Sequence, residues 1–153
     1  MPSYDHTQRG GWHWMILAIG LVMAGTGVFT AQVIPAACAV FIFLVAGTFA
    51  RLRVWDDGDA LCARLGPIPL FGTRVPYADI QSAEPTRTTW FQGWGLHGWP
   101  GAWLVVNIWG YDAVALHLKE PRGLLRYRRY IIGTDEPEAL AAFLQAKVRD
   151  ASR

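Results

Sequence analysis

The stretch GWGLHG, residues 93–98, carries the glycine spacing of a dinucleotide-binding turn. That chemistry needs an apolar strand running into the first glycine, a helix starting at the last one, and an acid about twenty residues further on. The flanks here are TRTTWFQ and WPGAWLVV. Pro100 and Gly101 oppose a helix start, and Asp112 and Glu120 fall in or beyond a later strand-like run. The glycines therefore predict a sharply turning aromatic loop. The histidines His6, His13, His97 and His117 do not pair at metal-ligand spacing, and none accompanies a Ser or Cys in a nucleophile motif. Cys38 and Cys62 fall on different elements and are expected as free thiols. No catalytic residue, metal site or cofactor is implied, so the expectation is a non-enzymatic protein.

The elements that would position these residues fall into two kinds. Residues 12–50 hold no charged side chain. Two apolar runs of 18 residues each, 12–29 and 33–50, flank the turn TAQ. At ~1.5 Å per residue each run reaches ~27 Å, close to a bilayer core, which predicts a transmembrane helical hairpin. Trp12 and Trp14 sit at one end, as interface anchors do. Gly20 with Ala24, and Ala46 with Ala50, are small-residue pairs that allow close helix packing. Arg9 precedes the hairpin, and Arg51 and Arg53 follow it. Positive flanks place both termini in the cytoplasm of a multi-pass membrane protein. Residues 1–11 are expected as a cytoplasmic tail.

From residue 51 the pattern changes to short alternating runs broken by turns. RLRVW, ALCARLG, PIPLFGTRV, YADIQSAEPTRT, WLVVNIW, AVALHLK and LLRYRRYII are strand candidates. DDGD between the first two reads as a hairpin turn. The last segment is helical, with Thr134 or Asp135 as cap and Leu140, Phe143, Leu144 and Val148 as its apolar stripe. About seven strands and one terminal helix predict a small barrel or sandwich plugged by that helix. The fold class is thus membrane-anchored α+β.

Three segments, RVPYADIQSAE, GWGLHG and IIGTDEPEALAAFL, together with this order of elements, resemble bacterial pleckstrin-homology-like (PH-like) domains that follow a transmembrane hairpin. The resemblance implies a hairpin at 12–50, a PH-like β-barrel with a capping helix at 51–153, and a bacterial cytoplasmic membrane. It speaks for fold more than for activity. Eukaryotic PH domains hold phosphoinositides with bases around the first hairpin. Asp56, Asp57 and Asp59 stand there instead and would repel phosphate.

Two groups remain as candidate contacts. Trp90, Trp94 and Trp99 lie in the glycine-rich stretch, more indole than a small loop can bury. Arg126, Arg128 and Arg129 form a basic run. Indoles suit a protein interface or the bilayer interface, and arginines suit anionic lipid. The expected function is an inner-membrane accessory, scaffold or assembly protein that binds a partner membrane protein complex. The alternative is binding of anionic lipid at the cytoplasmic surface. Nucleic acid is not expected, because acids nearly balance bases and no reading motif is present.

Overall fold

A computed structural model describes residues 3–67 and 71–151 of the chain. Strand β1 (Asp5–Arg9) leads into helices α1 (Trp12–Thr30) and α2 (Val33–Thr48). Then come β2 (Arg51–Asp56), β3 (Ala60–Leu65), β4 (Gly72–Pro76), a single 3₁₀ turn (Tyr77–Asp79) and β5 (Ile80–Arg87). β6 (Gly95–Trp99), β7 (Trp103–Asn107), β8 (Asp112–Arg122), β9 (Tyr127–Gly133) and α3 (Pro137–Ala151) complete the order. Each of the seven strand candidates contains a strand. The stretch PIPLFGTRV yields β4, while residues 68–70 lie outside the described set.

The strands form two sheets, β1-β2-β3-β4 and β5-β8-β9-β7-β6, which do not close into the expected barrel. β5 runs antiparallel to β8, and β8 to β9. The hairpin of β6 and β7 is inserted between β5 and β8 in sequence, and β7 joins β9 in parallel. Two strands exceed the sequence reading. β6 lies within the stretch read as a loop. β1 occupies the expected tail and pairs antiparallel with β2 from Asp5↔Trp55 to Arg9↔Arg51. The helical hairpin is therefore inserted between two paired strands, and its root is closed by the Gly10 N–H donating to the Ala50 carbonyl.

One core joins both sheets and α3. Leu52, Val54 and Leu61 face Val106, Leu116 and Ile132, and Leu140 and Leu144 of α3 fill the space between the sheets. Burying an aliphatic side chain of this size contributes ~1.5–3 kcal/mol. The capping bond at the start of α3 runs from the Glu136 N–H to Thr134 Oγ1 at 3.1 Å. Trp103 and Trp109, which share parity in the run WLVVNIW, lie outside this core. Trp103 covers the outer face of the five-stranded sheet, and Trp109 lies beyond the end of β7 and is partly exposed.

Helix lengths differ from the two equal runs. α1, with 19 residues, is long and apolar enough to cross a membrane, whereas α2 has 16. Thr48 ends α2 before Phe49 and Ala50 turn the chain into β2. The seam between the helices uses small residues. A Cβ at Gly20 would stand 2.6 Å from the Phe43 ring, and one at Gly27 2.8 Å from the Ala36 backbone nitrogen. Ala39 and Ala46 are buried opposite. Of the predicted packing residues, Gly20 and Ala46 lie in this seam. Ala24 is half-buried, and Ala50 sits at the root.

Candidate functional site

The candidate residues divide between two ends of the β-domain. The turn between β7 and β8 and the ends of β5 and β9 lie at the hairpin root, marked by the Thr134 N–H to Asp112 carbonyl bond and the Thr88 N–H to Tyr111 carbonyl bond. From there β8 runs eleven residues to Arg122. An irregularity between His117 and Arg122 shortens that path, and β9, paired with it from Gly133 to Tyr127, spans the same two poles in six steps of ~3.3 Å, ~20 Å.

At the root, Trp94 turns inward. Its ring centroid lies 5.2 Å from that of Trp12 on α1, and its indole N–H donates to the Gly110 carbonyl at 2.9 Å. Trp109 packs on Trp12 from another side, at 5.8 Å. Trp94 thus fastens the β-domain to the hairpin. Gly95, at φ 107°, makes the turn that aims it there, a conformation open to glycine alone at little cost. Trp90 and Phe91 point away from the domain on a turn held by the Gln92 N–H and the Gly93 N–H, both donating to the Thr89 carbonyl. Trp90 is 75% exposed.

Beside α2 a cleft of about 660 Å³ opens, lined by Phe41, Leu44, Phe49, Phe71, Leu96 and His97 among others. His97 meets the Trp103 ring edge-on at 5.9 Å.

At the far pole, residues distant in sequence meet. The turn after β6 is joined to the turn before β9 by the Gly101 N–H donating to the Leu125 carbonyl, and by the Arg128 and Arg129 N–H groups sharing the Ala102 carbonyl. Together they build a groove of about 480 Å³ lined by Pro100, Gly101, Pro121, Leu124, Leu125, Arg126 and Arg128. Trp99, 68% exposed, adjoins Pro100, and Leu124 is 97% exposed. Arg126 holds φ at 53°, a left-handed conformation rare for a side chain of its size. Arg129 departs from this group. It is half-buried on the outer sheet face, in register with Trp103 and His117, and its Nε has no hydrogen-bond partner.

The acidic turn that sequence reading treats as turn residues is absorbed into the fold. Asp57 and Asp59 both bind Arg74 of β4, at 3.2 and 2.6 Å. Asp56 accepts from Lys147 of α3 at 2.8 Å, from the Tyr77 hydroxyl at 2.7 Å and from the Gly58 N–H at 3.0 Å. Burial raises the Asp56 pKa, but these bonds and the Lys147 charge outweigh it and hold the carboxyl below its usual range. Burial, reinforced by the bond to Asp56, keeps the Tyr77 hydroxyl protonated far above its ordinary pKa.

The outer face of the four-stranded sheet carries a pattern that no local window of sequence reveals. Arg9 stands opposite Arg51, and Arg53 opposite Arg64. Trp55 lies between Arg53 and Arg64, whose guanidinium carbons sit 5.2 and 5.4 Å from its ring.

No family model, no curated protein and no solved structure matches the chain.

Proposed function

We propose that this chain is a non-enzymatic docking module of a bacterial cytoplasmic membrane, with a PH-like domain held at the surface by its helical hairpin. It would bind a partner membrane protein complex as an accessory, scaffold or assembly protein. The observation that carries this reading is the far pole. Leu124 and Leu125 stand exposed in one groove with Arg126 and Arg128, and the exposed Trp99 directly precedes the Pro100 that lines it, at the end of the domain away from the hairpin. Trp and Arg are the residues that anchor protein interfaces, and exposed large apolar groups gathered in one place mark such surfaces. The chemistry fits a partner segment with apolar anchors and acidic neighbours.

The PH-like part of the reading is supported by the order of strands. Setting the inserted β6–β7 hairpin aside leaves a meander of four strands and a meander of three, followed by a helix that fills the space between them. The membrane part is supported by the exposed apolar surface of the hairpin, including Phe29, Val33, Ile34 and Phe41.

The alternative, anionic lipid held by Arg126, Arg128 and Arg129, fits the positions poorly. With the hairpin in the bilayer, β9 sets Arg126 and Arg128 about six strand steps, ~20 Å, from the root, about two Debye lengths at 0.1 M salt.

A photoreactive phenylalanine analogue at Leu124, in the full chain in native membranes, tests docking. One discrete protein adduct is expected. Trp99→Ala should reduce it by roughly thirtyfold in affinity, the ~2 kcal/mol of an interface anchor. Arg126→Gly should also weaken it while leaving thermal stability unchanged or higher, because glycine relieves ~1 kcal/mol of left-handed backbone cost. No adduct, or an adduct indifferent to Trp99→Ala, rejects the docking surface.

A further inference from the structure

We infer that the outer face of the four-stranded sheet, at the hairpin root, is a binding surface for anionic phospholipid headgroups, with Arg9, Arg51 and Arg64 as its cations. The inference rests on the hairpin residing in a bilayer, and is otherwise independent of the far pole.

Strand pairing makes the case. Arg9 and Arg51 are direct cross-strand partners, so both side chains leave the same face of the sheet, and both are exposed. Arg53 and Arg64 repeat the arrangement two residues further from the helices, ~7 Å along the strands. Like charges directly opposite one another destabilise a sheet. The fold compensates one of the four. Asp5 takes Arg53 in a two-pronged ion pair, with nitrogen–oxygen distances of 2.9 and 2.6 Å. Among the described residues, no acid lies within ion-pair distance of Arg9, Arg51 or Arg64. The Arg64 guanidinium lies against Trp55, and its buried Nε has no hydrogen-bond partner. Three guanidinium groups are thus gathered on one face without a counter-charge.

Their place in the fold supplies that charge. Arg9 is three residues before the first residue of α1, and Arg51 three after the last of α2. With the helices in the hydrocarbon, this face stands at the level of lipid phosphates. Trp12, Trp94 and Trp109 pack together at the same root, where indoles mark the interface. Guanidinium forks match phosphate oxygens, and the two opposed arginines can hold one phosphate between them.

The root tryptophans report the lipid beside them. The full chain is reconstituted in vesicles of phosphatidylcholine and phosphatidylglycerol, in which one or the other lipid carries brominated acyl chains that quench indole fluorescence. Co-flotation with the vesicles establishes incorporation. The quenching ratio then gives the preference for anionic over zwitterionic lipid. A preference of at least fivefold is expected at low salt, the effect of one arginine near an anionic surface, and it should shrink as salt rises. The combined Arg9→Gln, Arg51→Gln, Arg64→Gln variant should fall close to parity. The same three positions changed to Lys should keep most of the preference, and Arg126→Gln with Arg128→Gln should keep all of it. If the triple glutamine variant does not incorporate, single Arg9→Gln and Arg51→Gln chains must each lower the ratio severalfold. An incorporated wild-type chain without preference overturns the surface. So does a preference that survives removal of the root arginines, or one lost with the far-pole pair. A wild-type chain that does not float with vesicles overturns the anchoring itself, a separate and recognisable result.

Discussion

The Asp56 carboxylate, in the turn DDGD, accepts from Lys147 of α3 and from the Tyr77 hydroxyl. As part of DDGD it resembles a solvated turn acid. In the fold its side chain is 6% exposed, and Lys147, 14% exposed, reaches it from α3. Lys147 also lies 5.3 Å from the Tyr77 ring centroid, so the bond ties β2, the 3₁₀ turn and the last helix into one unit. The Asp56 carboxyl is held below its usual pKa, the net result of bonds that overcome its burial. The unfolded carboxyl takes up its proton near pH 4. The folded state is therefore favoured by this group at every pH above that value. The contribution is lost as pH falls through the lower folded pKa. Asp56→Asn should cost about 3 kcal/mol at pH 7, since it leaves a largely buried ammonium unpaired. The gap between wild type and variant should narrow below about pH 4, where the wild-type carboxylate is also being neutralised. Thermal melts of both chains from pH 7 to pH 3 measure it, and a constant gap would show that the pair contributes nothing through its charge.

The elements carry the next level of specificity, and the hairpin seam is its sharpest test. Gly20 meets the end of the Phe43 ring, which can rotate away. Gly27 meets the Ala36 backbone nitrogen, which cannot move without moving α2. Gly27→Ala should therefore separate the helices near their turn and cost ~1–3 kcal/mol, the range for overpacking. Gly20→Ala should cost less. Unfolding in mild detergent, followed by far-ultraviolet circular dichroism, should rank the two variants in that order, and equal effects would mean the seam is not the one described. Much at this level was legible in the sequence. The seven strands beneath the seven alternating runs, the buried stripe of α3 and the apolar hairpin all announce themselves through local period. What escaped depends on pairing. β1, DHTQR, has no alternation of apolar side chains, and it forms because β2 offers it an edge and Gln8 finds the Trp109 carbonyl. β6, GLHGW, reads as a turn because of its glycines, yet Gly98 admits no side chain against the Trp103 carbonyl oxygen below it. The candidate site was legible by half. Arg126 and Arg128 share a groove with Pro100, the residue after the exposed Trp99, whereas Trp94 packs inward and Arg129 leaves the group. The arginine face at the root rests on register between distant strands, which periodicity does not encode.

At the scale of the whole molecule, pairing also constrains topology. Since β1 and β2 lie side by side in one sheet, the segments before and after the hairpin must occupy one compartment, whatever the charge of their flanks. α1 reaches ~28 Å at ~1.5 Å per residue, enough to carry the turn at Ala31 and Gln32 to the other side. Cysteine labelling of intact cells with a membrane-impermeant maleimide separates these two statements. Cys38 is exposed on α2 and would be replaced by Ala. Cys62 can stay: burial pushes its thiol pKa up, so little thiolate is present to react. In that background Thr7→Cys and Glu120→Cys, both at exposed positions, should label only after permeabilisation, and Gln32→Cys should label in intact cells. Labelling of Thr7→Cys and Glu120→Cys from opposite sides would break the β1–β2 pairing. A Gln32→Cys that stays silent until permeabilisation would keep the sheet but end the hairpin's passage through the membrane. The arginine face at the root would then need a source of negative charge other than the bilayer.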